Sequence, residues 1–114
     1  MPGTSLLLAR AGDEPAAFSL TRMIADEAEL LLLAVRPRFA RNGIGRGLLL
    51  TAMDEARARG VKFMHLEVRS DNDAIRLYDA VGFSQVGVRP GYYRGNDGKV
   101  RDALTYRCVL TDLD

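Results

Sequence analysis

The sequence predicts an α/β (α+β) domain in which a mixed β-sheet carries two helices, in the order β-β-β-α-β-α-β-β. Two sequence patterns lead to this fold class. Residues 30–35 form an uninterrupted apolar run, which is typical of a strand buried inside a sheet, whereas apolar residues recur at the helical period from Ile44 onward. The third observation is length: 114 residues build one domain rather than two, so residues 1–114 are taken as a single domain.

The first three elements are predicted strands. Residues 6–10 form a short apolar strand, and the turn-forming residues 11–15 follow it. Residues 17–25 alternate between two faces and return as a hairpin partner. Residues 29–35 are apolar after the first position, which suits a central strand covered on both faces, although a buried helix fits the same pattern. Pro37 ends this element.

Two helices and an intervening strand are predicted next. Six residues share one apolar stripe of the first helix: Ile44, Leu48, Leu49, Ala52, Met53 and Ala56. Gly60 ends this helix, and a strand over residues 63–69 follows. The second helix is capped by Asp71 or Asn72 and ends at Gly82. The strand–helix–strand segment predicts a right-handed parallel crossover, with the two helices on one face of the sheet or on opposite faces.

Two further strands close the domain, over residues 83–88 and 103–110. The polar segment between them contains Gly91, Gly95 and Gly98 and predicts a loop. Strands outside the crossover are joined by hairpin-length links, so the sheet is expected to mix parallel and antiparallel pairs.

Composition and charge exclude several classes of site. The 16 basic and 15 acidic side chains leave a net charge of +1, which argues against nucleic-acid binding through bulk charge, although a local basic patch stays open. The single Cys108 and the single His65 exclude an internal disulfide and metal sites built from several thiolates or imidazoles. No apolar run approaches the roughly 20 residues of a membrane span. We therefore expect a cytoplasmic protein with no metal, nucleic-acid or membrane partner.

The most distinctive local feature is the glycine segment, Arg41-Asn42-Gly43-Ile44-Gly45-Arg46-Gly47, between the apolar strand and the first helix. A helix start offers unpaired N–H groups and a positive dipole end, and glycines let an anion approach the backbone, so this chemistry favours a diphosphate. The segment matches neither the P-loop pattern nor G-x-G-x-x-G, which needs glycine where Leu48 stands. A glycine-rich turn with solvated arginines explains the same residues.

Several further blocks occur in order along the chain. They are Ala34-Val35-Arg36-Pro37, the glycine segment with Leu48-Leu49, Leu66-Glu67-Val68-Arg69, Ala74-Ile75-Arg76-Leu77-Tyr78, Gly82-Phe83, and Gly91-Tyr92-Tyr93 with Asp97-Gly98 and Asp102-Ala103-Leu104. Together they resemble the GNAT acetyltransferases, and among these the RimI-like protein N-terminal alanine acetyltransferases. The resemblance covers nearly the whole chain.

The resemblance implies a fold in which two parallel strands splay apart and acetyl-CoA enters the gap. Here these strands end near Val35 and Val68. It implies that the backbone of Leu33, Ala34 and Val35 pairs with the pantetheine arm much as an added strand would. It also implies that the pyrophosphate is held by backbone amides of Arg41, Asn42, Gly43, Ile44, Gly45 and Arg46.

The resemblance also assigns the chemistry. Glu67 matches the general base, because the acceptor ammonium must lose a proton before it attacks the thioester carbonyl. Tyr78 matches the general acid that protonates the departing CoA thiolate. A backbone N–H near Val35 is expected to stabilise the oxyanion in a ternary complex. Cys108 lies far along the last strand without an evident base, so an acyl-cysteine is not expected.

Without the resemblance, each of these residues has a plainer interpretation. Glu67 is then a salt-bridged strand residue, and Tyr78 is a core residue on the apolar stripe of the second helix. The pair Tyr92-Tyr93 either shapes an acceptor pocket or covers the end of the sheet.

Three features depart from the family pattern. Ala40 stands where the family usually has Gln or Arg. The segment between Val68 and Tyr78 is one residue shorter, so either Asn72 or Asp71 matches the asparagine that bonds the pantetheine. The sequence opens on the first hairpin, without the strand and two helices that form one wall of the acceptor groove in the family. A truncated chain, a shortened natural protein, and a homodimer or partner subunit that covers this side each explain the difference. In every case we expect exposed apolar surface, which favours association.

The predicted function is acetyl transfer from acetyl-CoA to an amine, chiefly the N-terminal alanine of a ribosomal or other protein. Two alternatives stay open: a catalytically weak acetyl-CoA-binding module or subunit, and an acetyltransferase for a small-molecule amine. All these acceptors require the same base and acid, so the sequence does not distinguish them.

Overall fold

A computed structural model describes residues 3–110 as a six-stranded mixed sheet with two helices. The strands are β1 (Thr4–Ala11), β2 (Glu14–Ile24), β3 (Glu27–Val35), β4 (Phe63–Arg69), β5 (Ser84–Arg94) and β6 (Val100–Val109), and the helices are α1 (Ile44–Ala58) and α2 (Ile75–Ala80). A short 3-10 turn, Pro37–Phe39, follows β3. The predicted order of elements is confirmed.

The spatial order of the strands is β1-β2-β3-β4-β6-β5. Every neighbouring pair is antiparallel except β3 and β4, which run parallel. Parallel strands need a long connection between them, and α1 provides it here. The predicted parallel crossover is therefore confirmed, and it places the start of α1 beside the end of β3.

Both helices pack on one face of the sheet. A single core cluster contains Leu49 and Met53 of α1, Tyr78 of α2, and Met64 and Leu66 of β4. Alternate residues of a strand share a face, so Met64 and Leu66 mark the helix side of the sheet. The predicted stripe of α1 is also confirmed, since Leu48, Leu49, Ala52, Met53 and Ala56 are buried and Ile44 is half-buried.

The opposite face of the sheet, called the open face below, carries exposed apolar side chains. Leu6 and Leu8 of β1 are 66% and 50% exposed, and Phe18 of β2 is 36% exposed. On β2 the polar residues Ser19 and Thr21 are the buried set, because they alternate with Phe18 and face the helices. The expected exposed apolar surface is therefore present.

A β-bulge changes the phase of β3 at Leu31. Thr21 pairs with Leu30 and Leu20 pairs with Leu32, so Leu31 has no opposite residue on β2. Leu30 stays in the core, whereas Leu31 and Leu32 are 43% and 46% exposed. The prediction that this apolar run is covered on both faces is wrong, because the extra residue turns Leu32 toward the open face.

The last hairpin is longer than predicted. Strands β5 and β6 extend until only residues 95–99 form the turn, so most of the predicted loop is sheet. The register shifts between Arg89 and Tyr93. Within that shift Gly91 adopts a φ of 64° and donates its N–H to Asp102 Oδ1 at 2.9 Å. This glycine therefore belongs to an irregularity within a strand rather than to a loop.

Candidate active site

Strands β3 and β4 separate soon after they begin to pair. Their parallel ladder joins Glu27 to Phe63, Ala28 to Met64 and Glu29 to His65, three pairs in all. Beyond these pairs lies a gap with a cavity of about 290 Å³. Its walls are residues 30–33 of β3, residues 66–69 of β4, Asn72, Tyr78 and Tyr93. The edge of β3 that borders the gap leaves backbone groups available to an extended ligand.

Glu67 reaches the gap from the open face. It alternates along β4 with the buried Leu66 and Val68, so its side chain points away from the helices. The side chain is 29% exposed, and Arg89 Nε lies 3.6 Å from Glu67 Oε2. The ion pair and the cavity position occur together, so the structural and functional interpretations of Glu67 are compatible. An ionised carboxylate here can accept a proton from an amine on the open face.

Tyr78 reaches the same gap from the helix side. It lies on α2 with 7% exposure, and its ring packs against Phe83 and Tyr106 with centroid distances of 5.8 and 6.5 Å. Burial raises the pKa of the Tyr78 phenol above its ordinary value of 10. The phenol therefore stays protonated at neutral pH. Tyr78 is both a core residue and a cavity residue, and it can donate a proton into the gap.

Asn72 lines the gap, whereas Asp71 does not border it and instead pairs with two arginines. Asn72 Oδ1 accepts the N–H of Ala74 at 2.9 Å, which stabilises the turn before α2 and leaves its Nδ2 group to donate. The Asp71 oxygens accept from Arg69 Nε at 2.5 Å and from Arg101 Nε at 2.6 Å. Position therefore favours Asn72 over Asp71 as the residue that meets a ligand in the gap.

The start of α1 borders a second cavity of about 510 Å³. Gly43 precedes the helix with a φ of 87°, in the left-handed region. A Cβ atom on Gly45 would lie 3.1 Å from Val35 Cγ2, so a glycine lets the first turn of α1 approach the end of β3. The N–H groups of this first turn lack helical partners, which suits them to an anion.

Most residues that the resemblance assigns to the cofactor border one of the two cavities. Leu33 borders the gap, and the larger cavity is bordered by Val35, Arg41, Gly43, Gly45 and Arg46. Ala34, Asn42 and Ile44 border neither of these two. Ala34 pairs with Phe18 and borders a further pocket, which residues of β1, β2 and β3 line together. Asn42 Oδ1 instead accepts the N–H of Ile44 at 3.4 Å.

The two cavities lie next to one another along β3 and α2. On β3, Leu33 borders the gap and Val35 borders the larger cavity. On α2, Tyr78 borders the gap and Leu77 borders the larger cavity. A ligand with a diphosphate at the start of α1 and a thin arm that follows β3 would therefore extend from the larger cavity toward Glu67 and Tyr78.

Tyr93 and Arg69 complete the wall of the gap. Tyr93 borders it, and burial together with the nearby charge of Glu67 raises the pKa of the Tyr93 phenol. Tyr92 packs edge-on against Tyr93 at 5.3 Å but is 55% exposed. Arg69 also borders the gap. It was not identified as a site residue from the sequence. Its only signal was the strand alternation that places it on the same face as Glu67.

Within residues 3–110, no three side chains of His, Cys, Asp or Glu come together in an arrangement that would hold a metal ion. The helices of this part of the chain are too short or too polar to cross a membrane.

The comparison of the sequence with known families identifies the fold. The profile of the acetyltransferase (GNAT) family matches residues 1–83. The chain belongs to the GNAT acetyltransferase family. The splayed β3 and β4 are the GNAT arrangement that the resemblance implied, and the predicted fold class is confirmed.

The chain is also similar to GNAT enzymes of named activity. It is 45% identical over 90 residues to the [ribosomal protein bS18]-alanine N-acetyltransferase of Escherichia coli strain K12, covering 78% of this chain and 60% of that protein. It is 46% identical over 82 residues to the N-alpha-acetyltransferase RimI of Mycobacterium tuberculosis, covering 71% of this chain and 48% of that protein. The chain thus spans about half to three fifths of the length of these two relatives.

Solved structures agree with this GNAT assignment. The crystal structure of the ribosomal-protein-S18-alanine N-acetyltransferase from Escherichia coli superposes with a TM-score of 0.93 at 35% identity, covering 100% of this chain and 74% of that one. A Bacillus subtilis acetyltransferase in complex with CoA superposes with a TM-score of 0.85 at 20% identity, covering 97% of this chain and 80% of that one. The second likeness shows the GNAT fold alone.

Proposed function

We propose that the protein transfers an acetyl group from acetyl-CoA to an amine, and that this amine is the N-terminal alanine of a ribosomal or other protein. The acceptor class comes from the relatives, whose names state acetylation of the alanine of ribosomal protein bS18. A cytoplasmic location follows from this proposal, because ribosomal proteins are made there.

One observation carries the proposal: Glu67 and Tyr78 line a single cavity from opposite faces of the sheet. Glu67 borders the open face, where an acceptor can approach without crossing the helix side. Tyr78 borders the helix side, where the larger cavity lies at the start of α1. The gap between β3 and β4 is therefore a passage in which two substrates can meet.

The proposed cofactor contacts are those that the GNAT resemblance implies, and most of these residues border one of the two cavities. The backbone amides of residues 41–46 bind the pyrophosphate at the positive end of α1. Gly43 and Gly45 have no Cβ atom, so the anion can approach the backbone there. The backbone of residues 33–35 pairs with the pantetheine arm along the edge of β3. The Nδ2 group of Asn72 donates to the same arm. Acetyl-CoA supplies the activated acetyl group as a thioester.

In the proposed transfer, Glu67 and Tyr78 move protons in opposite directions. Glu67 accepts a proton from the acceptor ammonium, and the freed nitrogen lone pair forms a bond to the thioester carbonyl carbon. Backbone N–H groups on the exposed edge of β3 stabilise the negative oxygen. The carbon–sulfur bond then breaks, and Tyr78 donates its phenolic proton to the sulfur. The nitrogen loses its second proton to solvent, so that a neutral amide and CoA leave, and afterwards Glu67 releases its proton to solvent and Tyr78 regains one.

The direct test is release of CoA thiol in the presence of a peptide with N-terminal alanine. We expect release with this peptide and none with the same peptide acetylated at its N-terminus. Glu67→Gln should lower kcat by about 100-fold or more while acetyl-CoA binding persists. Glu29→Gln is the matched control, because Glu29 lies in the ladder that joins β3 to β4 but outside the gap.

Other outcomes of this test would select the alternatives. Binding of acetyl-CoA without thiol release from any amine would identify a binding module and reject the proposed enzyme. Release with polyamines or aminoglycosides but not with peptides would identify an acetyltransferase for small amines. A homodimer or partner subunit over Leu6, Leu8 and Phe18 stays a prediction, which light scattering checks.

A further inference from the structure

Arg101 forms the centre of an ion cluster beside the gap. Its Nε donates to Asp71 Oδ2 at 2.6 Å, and its two terminal nitrogens donate to the carboxylate of Asp97 at 3.0 and 3.3 Å. Arg69 Nε completes the cluster by donating to Asp71 Oδ1 at 2.5 Å. Among the ion-paired arginines of residues 3–110, Arg101 is the least exposed, at 22%.

The cluster connects two segments that are far apart along the chain. Asp71 lies in the loop between β4 and α2, next to Asn72 on the wall of the gap. Arg101 lies on β6 directly opposite Tyr93 on β5, and Tyr93 is another wall residue. One guanidinium therefore spans from the cofactor side of the gap to the hairpin on its acceptor side.

Backbone bonds complete this connection. The N–H of Ser70 bonds to the carbonyl of Asp102 at 3.0 Å, and Asp102 Oδ1 accepts the N–H of Gly91 at 2.9 Å. These bonds hold the base of the loop, whereas the Arg101–Asp71 pair holds the residue next to Asn72. Asn72 follows Asp71 directly in the chain, so the Arg101–Asp71 contact holds the backbone from which the Asn72 side chain and α2 begin.

We propose that Arg101 is a positioning residue for acetyl transfer: through Asp71 and its strand partner Tyr93 it fixes the cofactor wall against the acceptor wall of the gap. This inference rests on the proposed function. Arg101 itself does not border the cavity, so it acts through Asn72, Tyr78 and Tyr93 and touches no substrate.

The chemistry of the cluster favours a positioning role over a purely stabilising one. Exposed ion pairs add little to global stability, whereas a planar guanidinium that bonds two carboxylates fixes direction as well as distance. Hydrogen bonds from Arg101 and the N–H of Lys99 lower the pKa of Asp97 to about 2. The cluster therefore stays fully charged at every pH at which an acceptor amine can react.

The test compares Arg101→Gln with Arg94→Gln, which removes the same charge from the same β5–β6 hairpin at a residue with no ion pair among those found in residues 3–110. We expect Arg101→Gln to lower kcat about tenfold with an N-terminal alanine peptide, because small misplacements of reacting groups are costly. The Tm should fall by no more than about 4 °C. Arg101→Lys should recover less than half of the lost rate, since an ammonium lacks the fork geometry.

A double-mutant cycle and hydrogen exchange complete the experiment. Asp71→Asn combined with Arg101→Gln should be no slower than the slower single variant, because both act through one contact. Amide exchange of residues 70–74 should accelerate in Arg101→Gln and stay unchanged in Arg94→Gln. Unchanged exchange, or a kcat equal to that of Arg94→Gln, would overturn the inference. Absence of turnover by the wild-type protein would instead reject the proposed function, and exchange would still report whether Arg101 orders the loop.

Discussion

Glu67 and Tyr78 line one cavity although their side chains lie on opposite sides of the sheet. Such an arrangement needs an opening through the sheet, and the early separation of β3 from β4 provides it. A regular parallel ladder would have placed a continuous wall of backbone between the two residues. The chemistry that we propose therefore depends on a failure of strand pairing at this point.

Tyr78→Phe tests the proposed general acid. We expect kcat to fall by about 100-fold, because the phenol proton is lost while the ring still packs on Phe83 and Tyr106. Affinity for acetyl-CoA should change by less than about twofold. Tyr106→Phe is the matched control, since it removes a phenol from the same core outside the gap. An equal loss in both variants would argue for a packing effect.

The ionisation of Tyr78 gives a pH prediction. Burial raises its pKa above 10, so the folded protein holds this proton at a pH where the unfolded chain has released it. The corresponding stability is present below pH 10 and is lost as pH rises through the folded value. Ultraviolet titration of tyrosinate, compared between wild type and Tyr78→Phe, should show a component with its midpoint above 10. A difference spectrum with its midpoint below 10 would contradict this.

Gly43 and Gly47 form a matched pair at the start of α1. Gly43→Ala should destabilise the protein by about 1 kcal/mol and weaken acetyl-CoA binding, because alanine is strained at a φ of 87°. Gly47→Ala should stabilise α1 by about 0.5 to 1 kcal/mol and leave binding unchanged, since a Cβ meets open space there. Chemical denaturation and calorimetry measure both effects. Equal affinities in the two variants would dissociate the left-handed glycine from cofactor binding.

Two serines on the helix side of the sheet should respond oppositely to alanine. Ser19 is fully buried and its Oγ has no hydrogen-bond partner among residues 3–110, so Ser19→Ala should raise stability by about 1 kcal/mol. Ser5 Oγ donates to the Glu55 carboxylate of α1, so Ser5→Ala should lower stability by about 1 to 3 kcal/mol. Urea unfolding compares them. Destabilisation by Ser19→Ala would show that its hydroxyl is satisfied in solution.

The carboxylate of Asp97 should titrate far below the ordinary range. The hydrogen bonds from Arg101 and the N–H of Lys99 lower its pKa to about 2, against an ordinary 3.8. The stability linked to this shift is present above pH 3.8 and is lost as pH falls through 2. Carboxyl NMR should place the midpoint near 2 in the wild type and nearer 3.8 in Arg101→Gln. A midpoint of 3.8 in both proteins would show that the pair does not persist in solution.

The sequence predicted the features that local pattern controls. The change from the apolar run at 30–35 to helical spacing after Ile44 located β3, α1 and the glycine segment between them. The ordered blocks carry the GNAT resemblance, that resemblance assigned Glu67 and Tyr78 to one site, and the structure places both on one cavity. The elements thus follow from neighbours in sequence, whereas the two site residues follow from the resemblance.

Features that depend on pairing between distant segments were not predictable in this way. The bulge at Leu31 lies inside an unbroken apolar run, so no polar residue marks the change of face. Gly91 reads as a loop residue, although its conformation serves a register shift within β5. Arg101 and Asp71 are 30 residues apart, and nothing in the spacing of either reveals the contact.

A crystal structure of the protein with acetyl-CoA bound tests the central proposal most directly. We expect the pyrophosphate at the first turn of α1, the pantetheine arm along residues 33–35, and the thioester sulfur within about 4 Å of Tyr78 Oη. We also expect the carbonyl carbon to be reachable from the Glu67 side of the gap. Acetyl-CoA bound outside the separation of β3 and β4, or with its sulfur turned away from Tyr78, would contradict the proposal.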